Sequence, residues 1–222
     1  FVAETFGDLV HGWKPINEPV AYAFAGFLMG QFPPGRASLE DFAEAYEATL
    51  LAQHEAWRLL RSGDQPVATI MNLQPVHPAV RSREPDELDV ARANARMFDD
   101  VIFTTWIRAL RDGILAVPSR PLLEVPEMAG SFDLIGFSYY NANSVYADLS
   151  TGPYPADARV GPMGYAPWPE GLGIVLRRLA DELPRRPLVV AELGFGTDDD
   201  EWRTDLLRDV EQLAIAVHRE LA

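Results

Sequence analysis

The 222-residue sequence contains no cysteine, few basic side chains and no long apolar run. Without cysteine the chain has no disulfide framework, no thiol nucleophile and no cysteine-ligated metal site. Its apolar stretches fall far short of the roughly 20 residues that a membrane-spanning helix needs, and its N-terminus carries acidic residues where a signal peptide carries basic ones. We therefore expect a soluble protein. The absence of cysteine fits either redox compartment, and we take the cytoplasm as the expected one.

Acidic side chains outnumber basic ones by 33 to 19, which gives a formal net charge of -14. Nucleic acids and anionic membranes are bound through clustered Lys and Arg, so we expect neither as a partner. The histidines are scattered without the spacing of a metal site, and we expect no metal and no cofactor. They are His11, His54, His77 and His218.

Apolar periodicity alternates between short buried strands and amphipathic helices. Ser38 precedes an acidic first turn as an N-cap would, and Gly63 lies just past the end of that helix. We predict helices over 38–61, 87–111, 169–183 and 201–221. We predict strands over 66–72, 133–139 and 187–192, with a further strand ending at Glu18 and a Gly- and Pro-rich loop over 147–167.

Nearly continuous hydrophobic strands separated by helices predict a parallel sheet, either doubly wound or closed into a (β/α)8 TIM barrel. No Gly-x-Gly-x-x-Gly or P-loop pattern follows any strand, which favours the barrel. The length suits one domain over residues 1–222. Polar residues gather where the predicted strands end, at the rim that carries catalytic groups in barrels. They are Asn17, Glu18, Asn72, Gln74, residues 138–141 and Glu192.

Glu18 and Glu192 are the two carboxylates at these strand ends. We expect Glu18 to be nearly buried, and burial raises the pKa of a carboxyl group, so that a neutral acid is retained for chemistry. Glycoside cleavage needs one protonated and one ionised carboxyl group. A separation of roughly 5 Å leads to retention of configuration, and about 6.5 to 9.5 Å leads to inversion.

The sequence resembles glycoside hydrolase family 1, which includes β-glucosidases and β-galactosidases. The Asn17-Glu18-Pro19 segment and the later Pro33-Pro34-Gly35 are the most specific matches. The remaining matches are Phe6-Gly-Asp8, Trp13, Gly26, Gly30, residues 133–140, Pro169-Glu-Gly-Leu172, Glu192, Gly194, Asp198, Asp199 and Arg203. The resemblance extends over nearly the whole chain and covers strands four to seven of the family's barrel.

The resemblance implies a role for four of these residues. Glu18 resembles the acid/base, and Asn17 resembles the donor to the sugar 2-hydroxyl. Glu192 resembles the nucleophile, and Tyr140 resembles the phenol that orients it. The implied reaction is the retaining hydrolysis of β-linked glucosides or galactosides through a covalent glycosyl-enzyme. Trp168, in the Pro-rich loop before a predicted helix, is a further candidate, because an aromatic face there could stack on the aglycone.

The chain departs from the family pattern at two positions, with Leu193 and Ser138 where the family usually has Asn. The segments that grip the outer hydroxyls of the sugar in this family are also absent. Four parallel strands alone would leave two open edges and an uncovered core. We therefore expect the fold to need the missing barrel segments, from the same chain or from a complementary one.

Plainer interpretations remain open for each site residue. Glu18 could be a structural carboxylate paired with an arginine, Asn17 a strand-end cap and Tyr140 a packing residue. Gln74 and His77 could touch substrate or simply belong to a surface loop. For the whole protein, the alternatives are a catalytically decayed sugar-binding or structural relative of the same barrel, and a metal-dependent barrel hydrolase or lyase.

Overall fold

The structure is a computed structural model that describes residues 1–82, 84 and 86–221. The chain divides into two compact units that alternate along the sequence. The first comprises Phe1–Asn72, Phe103–Ser138 and Glu182–Ala191, and the second comprises Leu73–Ile102, Tyr139–Asp181 and Glu192–Ala222. The prediction of a single domain over residues 1–222 stays a prediction.

Seven α-helices and eight strands are assigned among the described residues. The helices are α1 (Val2–Phe6), α2 (Pro19–Ala23), α3 (Leu39–Leu60), α4 (Glu87–Asp99), α5 (Thr105–Asp112), α6 (Pro169–Glu182) and α7 (Asp200–Leu221). The strands are β1 (Met71–Asn72), β2 (Val76–Pro78), β3 (Ile114–Leu115), β4 (Leu123–Glu124), β5 (Ile135–Tyr139), β6 (Ala142–Val145), β7 (Thr151–Tyr154) and β8 (Leu188–Leu193). No described helix combines the length and the hydropathy needed to cross a membrane.

The longest helix of the first unit, α3, confirms the predicted helix over 38–61. The Ser38 hydroxyl oxygen accepts a hydrogen bond from the Asp41 amide at 3.2 Å, which satisfies one of the free N–H groups of the first turn. The inner face of α3 buries Phe42, Tyr46 and other apolar side chains. Burial also raises the pKa of the Tyr46 phenol far above its usual value.

A sheet in the order β1–β5–β8 lies largely in the first unit. β1 runs parallel to β5, with Asn72 opposite Ser138, and every residue of β5 is buried. The predicted strands over 133–139 and 187–192 are confirmed in β5 and β8. The predicted strand over 66–72 is shorter than expected, because only its last two residues form a ladder; Val67 and Ala68 form isolated bridges instead.

The strand predicted to end at Glu18 is wrong as a continuous strand. Trp13 makes one parallel bridge to Val67, and the Glu18 amide donates to the Ile70 carbonyl at 2.9 Å, but no ladder joins these two points in the described structure. The reason is local: Pro15 has no N–H to donate, and Glu18 itself leaves the extended region.

The predicted helix over 87–111 divides at a π-helical turn, Asp100–Thr104, which separates α4 from α5. Helix α4 belongs to the second unit, whereas α5 belongs to the first unit. Gly113 ends α5 in the left-handed conformation with φ 69°, and its amide donates to the Ala109 carbonyl at 3.0 Å. A C-terminal glycine commonly ends helices in this way, because it has no Cβ to clash at positive φ.

The second unit contains a mixed sheet in the order β2–β6–β7. β2 pairs with β6 in parallel, placing His77 opposite Ser144, and β6 pairs with β7 antiparallel. The prediction of a loop throughout 147–167 is therefore wrong for Thr151–Tyr154, which forms β7. Gly152 and Pro153 hide this strand from sequence patterns, and proline is tolerated there because β7 is an edge strand. The predicted helices over 169–183 and 201–221 are confirmed in α6 and α7.

Gly136 in β5 is expected to be indispensable for stability. A Cβ at this position would clash with the backbone oxygen of Thr69 and would lie 2.8 Å from Ile70 Cδ1. The Thr69 hydroxyl also bonds both backbone groups of Gly136, at 2.9 and 3.0 Å. We expect Gly136→Ala to lower the free energy of unfolding by about 3 kcal/mol or more, measured by denaturant titration.

Gly7→Ala provides the matched control for this substitution, because its Cβ would meet only the Gln65 side chain at 3.7 Å. It is expected to leave stability within about 1 kcal/mol of the parent protein. Equal stability of the two variants would contradict the proposed close approach of the strands at Gly136.

Candidate active site

Glu18 lies in the first unit, immediately before α2. Its backbone is left-handed (φ 47°, ψ 62°), a conformation that costs a residue with a Cβ about 1–2 kcal/mol and that is often found at functional sites. Pro19 begins the helix directly afterwards. The side chain is half-buried, so the expectation of near-burial is wrong in degree.

The side chain of Glu18 is held by an amide from β1. Asn72 Nδ2 donates to Glu18 Oε1 at 3.3 Å, and Asn72 lies opposite Ser138 in the parallel ladder. Ser138 is fully buried, and its hydroxyl oxygen has no hydrogen-bond partner among the described residues. Asn17, predicted to bind the sugar 2-hydroxyl, is exposed beside Glu18. The first unit thus brings Glu18 and Asn72 together. The sequence analysis placed Asn72 among the polar residues at strand ends but assigned it no role.

Glu192 lies in the second unit, at the penultimate position of β8, and is half-buried. Tyr140 Oη donates to Glu192 Oε2 at 2.6 Å. A hydrogen bond of this length to an ionised carboxylate is charge-assisted and stronger than a neutral one. The Tyr140 ring in turn stacks on Tyr165, with centroids 6.0 Å apart. These contacts fix the position of one Glu192 oxygen. The role of Glu192 as a nucleophile stays a prediction.

Trp168 belongs to a cluster of three rings in the second unit. His77 stacks on Tyr154 with centroids 3.8 Å apart and an interplanar angle of 13°. Trp168 meets both rings at steep angles, at 5.4 Å from His77 and 4.8 Å from Tyr154. The buried Tyr139 hydroxyl donates to the Trp168 carbonyl oxygen, and burial, aided by the Glu170 charge, raises the pKa of that phenol. Trp168 is therefore held at both its ring and its backbone, and its role in aglycone binding stays a prediction.

Three side-chain amides form a closed ring of hydrogen bonds in the second unit. Gln74 Nε2 donates to Asn141 Oδ1 at 3.3 Å, and Asn141 Nδ2 donates to Asn143 Oδ1 at 2.9 Å. Asn143 Nδ2 closes the ring by donating to Gln74 Oε1 at 2.7 Å. The sequence analysis placed Gln74 and Asn141 at strand ends but did not single out Asn143. The alternating Asn141 and Asn143 were the available signal, because residues two apart share a face of a strand.

Potential metal ligands do not gather anywhere in the described part of the chain: no three His, Asp or Glu side chains come together. The two carboxylates that the sequence analysis predicted to be catalytic have an amide and a phenol as neighbours rather than further metal-ligating groups. Glu18 accepts from Asn72, and Glu192 accepts from Tyr140. Such neighbours orient a carboxyl group for proton transfer or nucleophilic attack.

The sequence profile of glycosyl hydrolase family 1 matches residues 1–216. The chain belongs to this family. The resemblance seen in the Asn17-Glu18-Pro19 segment is thereby confirmed for nearly the whole sequence.

Relatives in this family include enzymes that act on glucosides. The chain is 24% identical to beta-glucosidase A of Thermotoga maritima, over 88% of this chain and 46% of that protein. It is also 24% identical to a cyanidin 3-O-glucoside 7-O-glucosyltransferase (acyl-glucose) of Delphinium grandiflorum, over 90% of this chain and 46% of that protein. The chain thus spans about half the length of the curated relatives it matches.

Solved structures of the family share the fold of this chain. A beta-glucosidase from Exiguobacterium marinum superimposes with a TM-score of 0.82 at 20% identity, covering 99% of this chain and 55% of that one. A beta-glycosidase from Pyrococcus horikoshii gives a TM-score of 0.81 at 24% identity, covering 99% and 50%. The predicted (β/α)8 barrel is confirmed, and the chain forms a portion of that barrel.

Proposed function

We propose that the protein is a retaining β-glycosidase that hydrolyses β-linked glucosides or galactosides. Membership of glycosyl hydrolase family 1 is the observation that carries this proposal. The hydrogen bonds at Glu18 and Glu192 support it, because each carboxyl group is oriented by a neighbour suited to its proposed role.

In the first step, the Glu192 carboxylate attacks the anomeric carbon while the Glu18 carboxyl group gives its proton to the glycosidic oxygen. The bond to the leaving oxygen breaks, an alcohol departs, and the sugar becomes an ester of Glu192. The Tyr140 hydroxyl holds one oxygen of Glu192, which leaves the other oxygen for attack. Asn17 donates to the sugar 2-hydroxyl, where hydrogen bonds strengthen in the transition state.

In the second step, water attacks the anomeric carbon and passes a proton to the Glu18 carboxylate. The ester bond to Glu192 breaks, which restores both carboxyl groups to their starting states. Two inversions at one carbon give overall retention of configuration. Trp168 supports the leaving group by stacking, and the mechanism needs no cofactor.

The test is the stereochemistry of hydrolysis by the full-length protein, followed by proton NMR on an aryl β-glucoside and the matching galactoside. We expect the β-anomer of the sugar to form first and to equilibrate afterwards. An α-anomer as the first product would contradict the double displacement. Sugar binding without turnover would favour the alternative, a catalytically decayed relative, to which the departures at Leu193 and Ser138 point.

The expected need for further barrel segments, from the same or a complementary chain, stays a prediction, as does the cytoplasmic location. The choice between glucoside and galactoside is decided by the same assay, because both substrates are tested side by side. A preference for the glucoside is favoured by the relatives, which include beta-glucosidase A of Thermotoga maritima.

A further inference from the structure

Glu18 is attached at two points to one short segment of the first unit. Its backbone amide donates to the Ile70 carbonyl oxygen at 2.9 Å, and its Oε1 atom accepts from Asn72 Nδ2 at 3.3 Å. Only Met71 separates Ile70 from Asn72 in the sequence. The main chain and the carboxyl group of Glu18 are therefore supported by the same extended segment.

Asn72 is itself held by the sheet of the first unit. Its backbone lies opposite Ser138 in the parallel ladder of β1 and β5. The preceding pair of that ladder, Met71 and Phe137, is completely buried, as is Ser138. Side chains on paired strands are positioned more precisely than side chains on loops. The Asn72 side chain therefore offers Glu18 a donor whose position is set before any substrate binds.

The Asn72 donor makes the two oxygens of the Glu18 carboxyl group unequal. Oε1 accepts the amide N–H, whereas Oε2 accepts no hydrogen bond from the residues that the structure describes. An ionised carboxylate only accepts hydrogen bonds, and a protonated one carries a single O–H on one of its oxygens. An amide N–H donates more strongly to the carbonyl oxygen of a carboxylic acid than to its hydroxyl oxygen. The bond to Oε1 accordingly favours the acid with its proton on Oε2.

We infer that Asn72 is a positioning residue that places the acid proton of Glu18 on Oε2, the oxygen that gives it to the leaving group. The inference rests on the proposed function and adds a residue to its mechanism. In the first step the O–H bond at Oε2 breaks, the glycosidic oxygen takes the proton, and the Asn72 N–H stabilises the carboxylate that forms. In the second step water returns a proton to Oε2. Asn72 thus occupies one oxygen and keeps the other free for both proton transfers.

The experiment compares Asn72→Leu with the parent in the full-length protein. The substrates are hexyl and 2,4-dinitrophenyl β-glucoside, or the matching β-galactosides if the parent prefers them. Leucine has nearly the shape of asparagine but no donor. We expect kcat for the hexyl glycoside to fall about tenfold with KM nearly unchanged, because the departing alkoxide needs the proton and one hydrogen bond has been lost. The dinitrophenolate departs without a proton, so its kcat/KM should change by less than about twofold.

The ratio of the two kcat/KM values does not depend on how much of a variant folds, because inactive protein lowers both rates equally. Gln53→Leu is the matched control for this ratio. Gln53 Nε2 donates to the Ile16 carbonyl oxygen at 3.3 Å, so it supports the backbone just before Glu18 without touching the carboxyl group. Its hexyl-to-dinitrophenyl ratio should equal that of the parent protein.

A double variant separates proton placement from general support. In Glu18→Gln/Asn72→Leu there is no acid proton to place, so its hexyl glycoside rate should be no lower than that of Glu18→Gln alone. An unchanged ratio in Asn72→Leu, an equal loss for both substrates, or a further loss in the double variant overturns this inference. If the parent protein hydrolyses neither β-glucosides nor β-galactosides, the proposed function itself fails.

Discussion

Replacing Glu192 with glutamine is expected to lower kcat for aryl β-glucosides by about 10⁴-fold or more. The amide has no negative charge with which to attack the anomeric carbon, so the covalent intermediate cannot form. The Tyr140 hydroxyl can still donate to the amide oxygen at this position, so we expect little loss of stability. Steady-state kinetics with a chromogenic β-glucoside, alongside a thermal melt, measures both effects.

A variant with a smaller side chain at position 192 and a control at another carboxylate complete this test. In Glu192→Gly, added azide should restore turnover by attacking from the vacated side, and the product should be the α-glycosyl azide, because only one inversion occurs. Glu201→Gln, at an exposed carboxylate in the first turn of α7, should keep full activity. Undiminished hydrolysis by Glu192→Gln would exclude Glu192 as the nucleophile.

Replacing Glu18 with glutamine is expected to give a loss that depends on the leaving group. Proton donation contributes about 10²–10⁴-fold when the departing oxygen is strongly basic, as in an alkyl glucoside or a disaccharide. A dinitrophenolate departs without a proton, so formation of the glycosyl-enzyme from that substrate should change far less. The measurement is kcat/KM for a series of β-glucosides ordered by the pKa of the leaving alcohol.

The control for this variant is Glu40→Gln, at an exposed carboxylate in the first turn of α3. Its kcat/KM series should coincide with that of the parent protein. A uniform loss across the series in Glu18→Gln would show that Glu18 supports binding or structure. Asn72 would still be available to donate to the new amide oxygen, which keeps the local geometry comparable.

Helices that carry their own start signals could be predicted from local residues. Ser38 with the acidic first turn of α3, and Pro169 at the first position of α6, act within a single turn of the chain. The buried strand β5 could be predicted as well, because burial on both faces requires an unbroken apolar run. These elements depend on interactions between residues that are close in sequence.

Features that depend on distant partners could not be predicted in the same way. The segment before Glu18 contains Pro15, whose missing N–H interrupts a ladder. By contrast, β7 contains Gly152 and Pro153 yet forms an edge strand, because β6 offers it a partner. The ring of side-chain amides joins Gln74 to residues 67 and 69 positions later, a contact that no local pattern encodes.

The order of residues in the chain was enough to indicate the family, the barrel and the two carboxylates, because motifs and apolar periodicity are properties of neighbouring residues. Only the folded chain decided which groups hold those carboxylates, which are Asn72 at Glu18 and Tyr140 at Glu192. It also decided that Gln74, Asn141 and Asn143 form one hydrogen-bonded ring. Hydrogen bonds and ring contacts act over a few ångströms in space, so they exist only after folding has brought separate strands together.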